Sequence, residues 1–186
     1  MRFAPLVFLV CLLGAVARAT VLVPAEFREV VNGSEIIVYG RVIDATPEWT
    51  DDRKRIDTVI TFEVGTWLKG GPGETLTFKV PGGRIGRYRS LTVGAPEFAI
   101  GDEAVLFLKS SGSAGPFVFG LNQGVFRVRV DSGTVRRMVV PPALIAAGDA
   151  PEVVVRGAAA RRSVPLETFG AQVQAVIAES AAGGAR

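Results

Sequence analysis

What most constrains this chain is a series of short runs rich in β-branched and aromatic residues, each stopped by glycine or proline. The first is Ile36-Ile37-Val38-Tyr39-Gly40-Arg41-Val42-Ile43, whose continuous apolar start is the pattern of a strand buried on both faces. Gly40 within it predicts a bulge or bend where a barrel curves. Ile56 to Leu68 alternates, with Ile56, Thr58, Ile60, Phe62, Val64 and Thr66 on one side, and reads as one long strand. Thr46 to Arg55, between the two, is polar and charged and predicts a loop. Lys69-Gly70-Gly71-Pro72-Gly73 is a turn, after which Thr75 to Val80 returns antiparallel. Residues 84–100 read as irregular or weakly stranded. Gly101-Asp102-Glu103 then turns the chain into Ala104 to Leu108, another buried strand. Phe117 to Gly120 and Gly124 to Val130 follow, and Asp131-Ser132-Gly133 is a hairpin turn into a return strand over Thr134 to Val140. Val125, Arg127 and Arg129 face one way on this hairpin, and Phe126, Val128 and Val130 the other.

A helix frames the runs at each end. Pro24 suits a first helical turn, Phe27, Val30 and Val31 share a face, and Asn32-Gly33 is a natural stop. Over residues 165–180, Leu166, Phe169, Val173, Val176 and Ile177 recur at helical spacing, so one face packs on something. Alanine-rich residues 143–164 read as an exposed connector and 181–186 as a disordered tail. The expected fold is therefore mainly β: a small antiparallel barrel or sandwich over residues 20–142, with a short N-terminal helix and a C-terminal amphipathic helix. Phe62, Phe78, Phe107 and Phe119 are the large side chains expected to fill its interior.

Residues 1–19 read as a signal peptide cleaved after Ala19. Met1-Arg2 is a short basic start, Phe3 to Ala17 is apolar, and Ala17-Arg18-Ala19 offers small residues at the two positions a signal peptidase reads. The apolar run is shorter than the roughly 20 residues a spanning helix needs, which disfavours an uncleaved anchor. Phe8-Leu9-Val10 lacks the small residues expected before an acylated cysteine, which disfavours a lipoprotein at Cys11. The mature chain is thus expected outside the cytoplasm, secreted or periplasmic. No later segment is long and apolar enough to cross a membrane.

Losing the leader changes the chemistry of what remains. The chain has one cysteine, Cys11, and no histidine, so the mature domain has neither. It can form no disulfide, and its core must hold it; about 165 residues suffice for that. Arg2 and Arg18 leave too, which lowers the formal net charge of +3 by two. A high isoelectric point then says little about nucleic acid or membranes.

Ser34-Glu35-Ile36-Ile37-Val38-Tyr39-Gly40-Arg41-Val42, a hydrophilic loop, and a long strand ending Trp67-Leu68-Lys69-Gly70 together resemble the start of a netrin-like domain. That is the OB-fold barrel also used by the tissue inhibitors of metalloproteinases. Pro81-Gly82-Gly83, Gly94-Ala95-Pro96-Glu97-Phe98 and Gly101-Asp102-Glu103 also resemble a set of uncharacterised exported bacterial proteins. The resemblance covers about residues 34–108 and implies an OB-like barrel and binding to another protein. Those inhibitors chelate zinc through an N-terminal cysteine, and a mature chain beginning at Thr20 without cysteine lacks that device.

Without histidine or cysteine, the commonest nucleophile–base pairs and zinc sites are excluded. A Ser–Lys hydrolase would draw on Ser90, Ser110 or Ser111 with Lys69, Lys79 or Lys109, none of them in a nucleophile-elbow context. Asp51-Asp52 and Asp102-Glu103 are the paired carboxylates, both placed where acids commonly complete turns. Gly82-Gly83-Arg84-Ile85-Gly86 lacks the ending and the following helix of a phosphate loop. The basic residues are the better lead: Arg84, Arg87, Tyr88 and Arg89 share one loop, and Arg127, Arg129, Arg136 and Arg137 lie on the hairpin. Arginines and a tyrosine on such a barrel could track single-stranded nucleic acid, but export removes that ligand. The leading expectation is a non-catalytic exported module, without cofactor or metal, that binds a protein or envelope component through Arg84, Arg87, Tyr88 and Arg89. An exported hydrolase and a carrier of an apolar ligand inside the barrel are the alternatives.

Overall fold

The computed structural model describes residues 25–110, 112, 115–142 and 162–183. The leader with Cys11, Pro24, most of the connector and the last three residues lie outside the described residues. Two long strands, β1 (Ile36–Trp49) and β2 (Ile56–Lys69), pair antiparallel along their length. β3 (Thr75–Pro81) continues the sheet on β2. A separate small hairpin follows, β4 (Gly83–Ile85) with β5 (Tyr88–Ser90). β6 (Glu103–Ser110) returns to pair with β1 on its other edge. β7 (Pro116–Val118) and β8 (Val125–Val130) both pair with β6, and β9 (Arg137–Val140) with β8. β10 (Val164–Pro165) ends the sheet, giving the order β10-β9-β8-β6-β1-β2-β3. Among the described residues the helices are α1 (Phe27–Asn32) and α2 (Leu166–Gly183), and neither is long and apolar enough to cross a membrane.

The mainly antiparallel β fold with a C-terminal helix is present, but the expected barrel is open. β7 comes alongside β3, yet no ladder joins them, so the sheet curls without closing. The bend is built into β1, whose register against β2 shifts at Ile37/Val38, Tyr39/Gly40 and Val42/Asp44. Such bulges raise local twist and curvature. Gly40 sits at one of them, as its place in the run implies.

Curling lets the sheet bury both faces. Val38, Val42, Ile60, Phe62, Phe78, Leu106 and Val118 fill the concave side. Ile37, Val105, Phe107, Phe126 and Val139 face the other way, under α1 and α2. This is why β1 and β6 read as continuous apolar runs: alternate residues serve two cores. Phe27, Phe107, Phe126 and Phe169 form an aromatic cluster with ring centroids 5.1 to 6.3 Å apart. Phe107 and Phe119 therefore belong to the helix side, not to the interior expected for them; Phe62 and Phe78 are where they were expected.

Other boundaries move for identifiable reasons. β1 runs on to Trp49 through residues expected as loop, because Asp44 to Trp49 each face a partner on β2. The turn shrinks to Thr50–Arg55, closed by the Thr50 N–H donating to the Arg55 carbonyl and the Arg55 N–H donating to the Thr50 hydroxyl. β9 begins only at Arg137, since Asp131 holds a wider turn by accepting from the N–H groups of Gly133 and Thr134. α2 begins at Leu166 and runs to Gly183, past the expected end, while Pro165 pairs with Met138 in β10.

Candidate functional site

The β4–β5 hairpin carries all four residues expected to make contact. Its turn is Gly86-Arg87, and Gly86 has φ of +58°, a conformation glycine adopts at little cost. Its base is fastened to β2: the Thr58 hydroxyl donates to the Gly82 carbonyl at 2.7 Å, and the Gly82 N–H donates to Ile56 O at 3.0 Å. Arg84 lies opposite Arg89 in the register, and Ile85 opposite Tyr88. Arg84 Nε donates to Gly86 O at 3.1 Å. Arg87 donates to the Tyr88 hydroxyl at 2.9 Å and lies over its ring, 5.1 Å from the centroid. Trp49, at the end of β1, meets Tyr88 edge-on at 5.5 Å and props the hairpin from below.

Several apolar groups at this end of the molecule are exposed, as Ile100, Val130 and Val135 are elsewhere. Tyr88 is 50% exposed, Leu91 68% and Val93 79%. Leu91 and Val93 share with Arg84 and Arg89 the wall of a groove of about 610 Å³, completed by Pro81, Pro96 and Phe98. Among the described residues, Arg84, Arg87 and Arg89 have no carboxylate partner. Arg28, Arg41, Arg127 and Arg137 each have one, at 2.6, 2.8, 2.7 and 3.1 Å. The loop thus concentrates uncompensated positive charge beside exposed aliphatic surface.

Of the four basic residues of the second hairpin, Arg127 and Arg137 are paired elsewhere, while Arg129 and Arg136, like the arginines of the β4–β5 hairpin, have no carboxylate partner among the described residues. Arg127 pairs with Asp102, bonds the Glu97 carbonyl and stacks 5.6 Å above Phe98, which pins the 97–102 turn to β8. Arg137 donates to Glu103, which also accepts from the Tyr39 hydroxyl at 2.8 Å. Burial, then the hydrogen bond to Glu103, pushes the Tyr39 phenol up to about 12. Tyr39, Arg41, Glu63, Glu103 and Arg137 line a second groove, of about 570 Å³, with their charges mutually paired.

The residues named for hydrolysis are employed structurally. Lys69 Nζ donates to Ser34 O at 2.6 Å, Lys79 faces Glu48 at 3.8 Å, and Lys109 lies over the Phe119 ring. Among the described residues none of these lysines reaches Ser90 or Ser110, and Ser111 lies outside them. Asp52 accepts from the Thr50 hydroxyl and the Lys54 N–H, which holds its carboxyl below the ordinary range. Asp102 accepts from Ala99 N–H and Arg127, and Glu103 is occupied as above. Among the described residues no cluster of three or more acidic, histidine or cysteine side chains could hold a metal ion. The concave side of the sheet is filled by side chains that are fully buried, Val38, Ile60, Phe62 and Leu106 among them.

Sequence reasoning missed Trp49, Leu91 and Val93. Trp49 sat in a stretch read as loop, and nothing in one sequence links it to Tyr88. Leu91 and Val93 looked like ordinary apolar residues of an irregular segment; only their exposure marks them. No family model, no curated protein and no solved structure matches this chain.

Proposed function

We propose that this chain is an exported, non-catalytic binding module that engages another protein or an envelope component through the β4–β5 hairpin. It uses no cofactor, and nucleic acid is not its ligand. The observation that carries this reading is the hairpin itself: Arg84, Arg87 and Arg89 without a carboxylate in ion-pair distance among the described residues, next to half-exposed Tyr88 and a groove with exposed Leu91 and Val93. Uncompensated arginine beside exposed aromatic and aliphatic surface is the composition of a contact surface more than of a solvated face. Export rests on the composition of residues 1–19. The netrin-like resemblance enters only as an analogy of fold, a curled antiparallel sheet that presents loops at one end.

The test is recovery of a partner from envelope extracts by the immobilised domain, compared with the variant Arg84→Ala/Arg87→Ala/Arg89→Ala. Loss of the partner at unchanged thermal stability supports the reading. Equal recovery by both proteins removes the hairpin from it.

A further inference from the structure

We infer that Arg84 and Arg89 form a carboxylate clamp, and that the groove beside them takes an extended acidic–aliphatic peptide segment of another protein. This rests on the binding reading above and names its partner. The first argument is the register. Arg84 and Arg89 are direct cross-strand neighbours on a two-stranded hairpin. Like charges directly opposite one another destabilise a pair of strands. Among the described residues no carboxylate lies within ion-pair distance of either guanidinium, whereas one carboxylate from outside, bonded by both guanidinium forks, would relieve the repulsion.

Shape and charge narrow the occupant. The groove is an open trough between the hairpin and residues 91–98, and its walls include Pro81, Leu91, Val93, Pro96 and Phe98. An extended chain places successive side chains on opposite sides, so one acid can reach the arginines while its neighbours lie on the aliphatic wall. Glu97 lines the same trough. It repels an uninterrupted polyanion or a dense anionic surface, and tolerates a segment whose acids are spaced.

The experiment titrates the domain with a fluorescent, end-blocked peptide of alternating Glu and Val. Its Gln–Val and Lys–Val counterparts and phosphatidylglycerol vesicles are run in parallel. The Glu–Val peptide binds, and the Gln–Val peptide binds at least about tenfold more weakly, the scale of one charge-assisted contact. Arg84→Glu abolishes binding of the Glu–Val peptide without lowering thermal stability, because it places opposite charges across the hairpin. Arg84→Glu/Arg89→Glu transfers binding to the Lys–Val peptide. No binding of the Glu–Val peptide, binding indifferent to Arg84→Glu, or binding to vesicles alone overturns the inference. If the peptide fails while capture from extracts still needs the arginines, the peptide inference falls alone. If capture does not need them, the site falls with it.

Discussion

Replacing Gly40 by alanine tests how the sheet obtains its curvature. A Cβ built at Gly40 falls 2.0 Å from the carbonyl oxygen of Glu63 and 2.8 Å from Cε1 of Phe62. The first distance is about an ångström inside any contact a real Cβ makes, and the obstacle is backbone, not a side chain that can swing away. Gly40 lies at a register shift of β1, paired with Val64 on β2 and Ala104 on β6. The chain therefore has to part β1 from β2 locally, losing one or two ladder bonds worth about 1 kcal/mol each, on top of about 1–3 kcal/mol for overpacking. A total near 3 kcal/mol lowers the melting temperature of a domain this size by about 6–12 °C. The assay is thermal unfolding followed by the fluorescence of Trp49 and Trp67. Gly65→Ala is the milder comparison, since its Cβ would meet the Tyr39 ring at 3.3 Å and ask a shift of only a few tenths of an ångström. A Gly40→Ala variant that melts with the wild type, or with Gly65→Ala, would refute the close approach of β1 and β2.

Phe107→Ala removes a fully buried ring from between both helices and β8, and should cost about 3–5 kcal/mol in urea unfolding. An effect below about 1 kcal/mol would mean that the helices do not dock there. Tyr39 keeps its proton to about 12 in the folded chain, against about 10 unfolded, so its contribution is fully present below pH 10 and fades as pH rises through 12. Tyr39→Phe should therefore flatten the fall in stability over that window and remove the late component of tyrosinate absorbance; an unchanged titration would contradict the Glu103 contact. Arg127→Met cuts the ion pair to Asp102 and the bond to Glu97. At a third exposure the pair is worth about 1 kcal/mol or less, so the melting temperature should fall by a few degrees while hydrogen exchange at Ala99 quickens. Protection at Ala99 that survives the substitution would contradict the pinning of that turn.

Much of the architecture was legible because burial on two faces leaves a plain mark. Ile36 to Val38 and Ala104 to Leu108 are apolar without alternation, and each turns out to divide its side chains between two cores. That same lack of alternation hid which core a given residue serves. Phe107 has the parity of Val105, opposite Leu106, and only the helices over it reveal that its side is the outer one. The second half of β1 was illegible since Asp44, Pro47 and Glu48 have poor strand propensity; their pairing comes from β2 across the turn, a tertiary cause. At the site, the crowding of Arg84, Arg87, Tyr88 and Arg89 is visible in sequence. The facing of Arg84 and Arg89, and the nearness of Trp49 and of the trough, depend on a hairpin of three-residue strands that no periodicity could announce.

The central claim is that the β4–β5 hairpin and its groove are where this domain meets its partner. The most direct measurement is the amide spectrum of the isotope-labelled domain during titration with envelope extract. The account predicts that signals from residues 83–98 and Trp49 broaden first, and that Arg84→Ala/Arg87→Ala/Arg89→Ala abolishes the effect. Broadening centred instead on Tyr39, Arg41, Glu103 and Arg137, or on α2, with residues 83–98 unmoved, would contradict it.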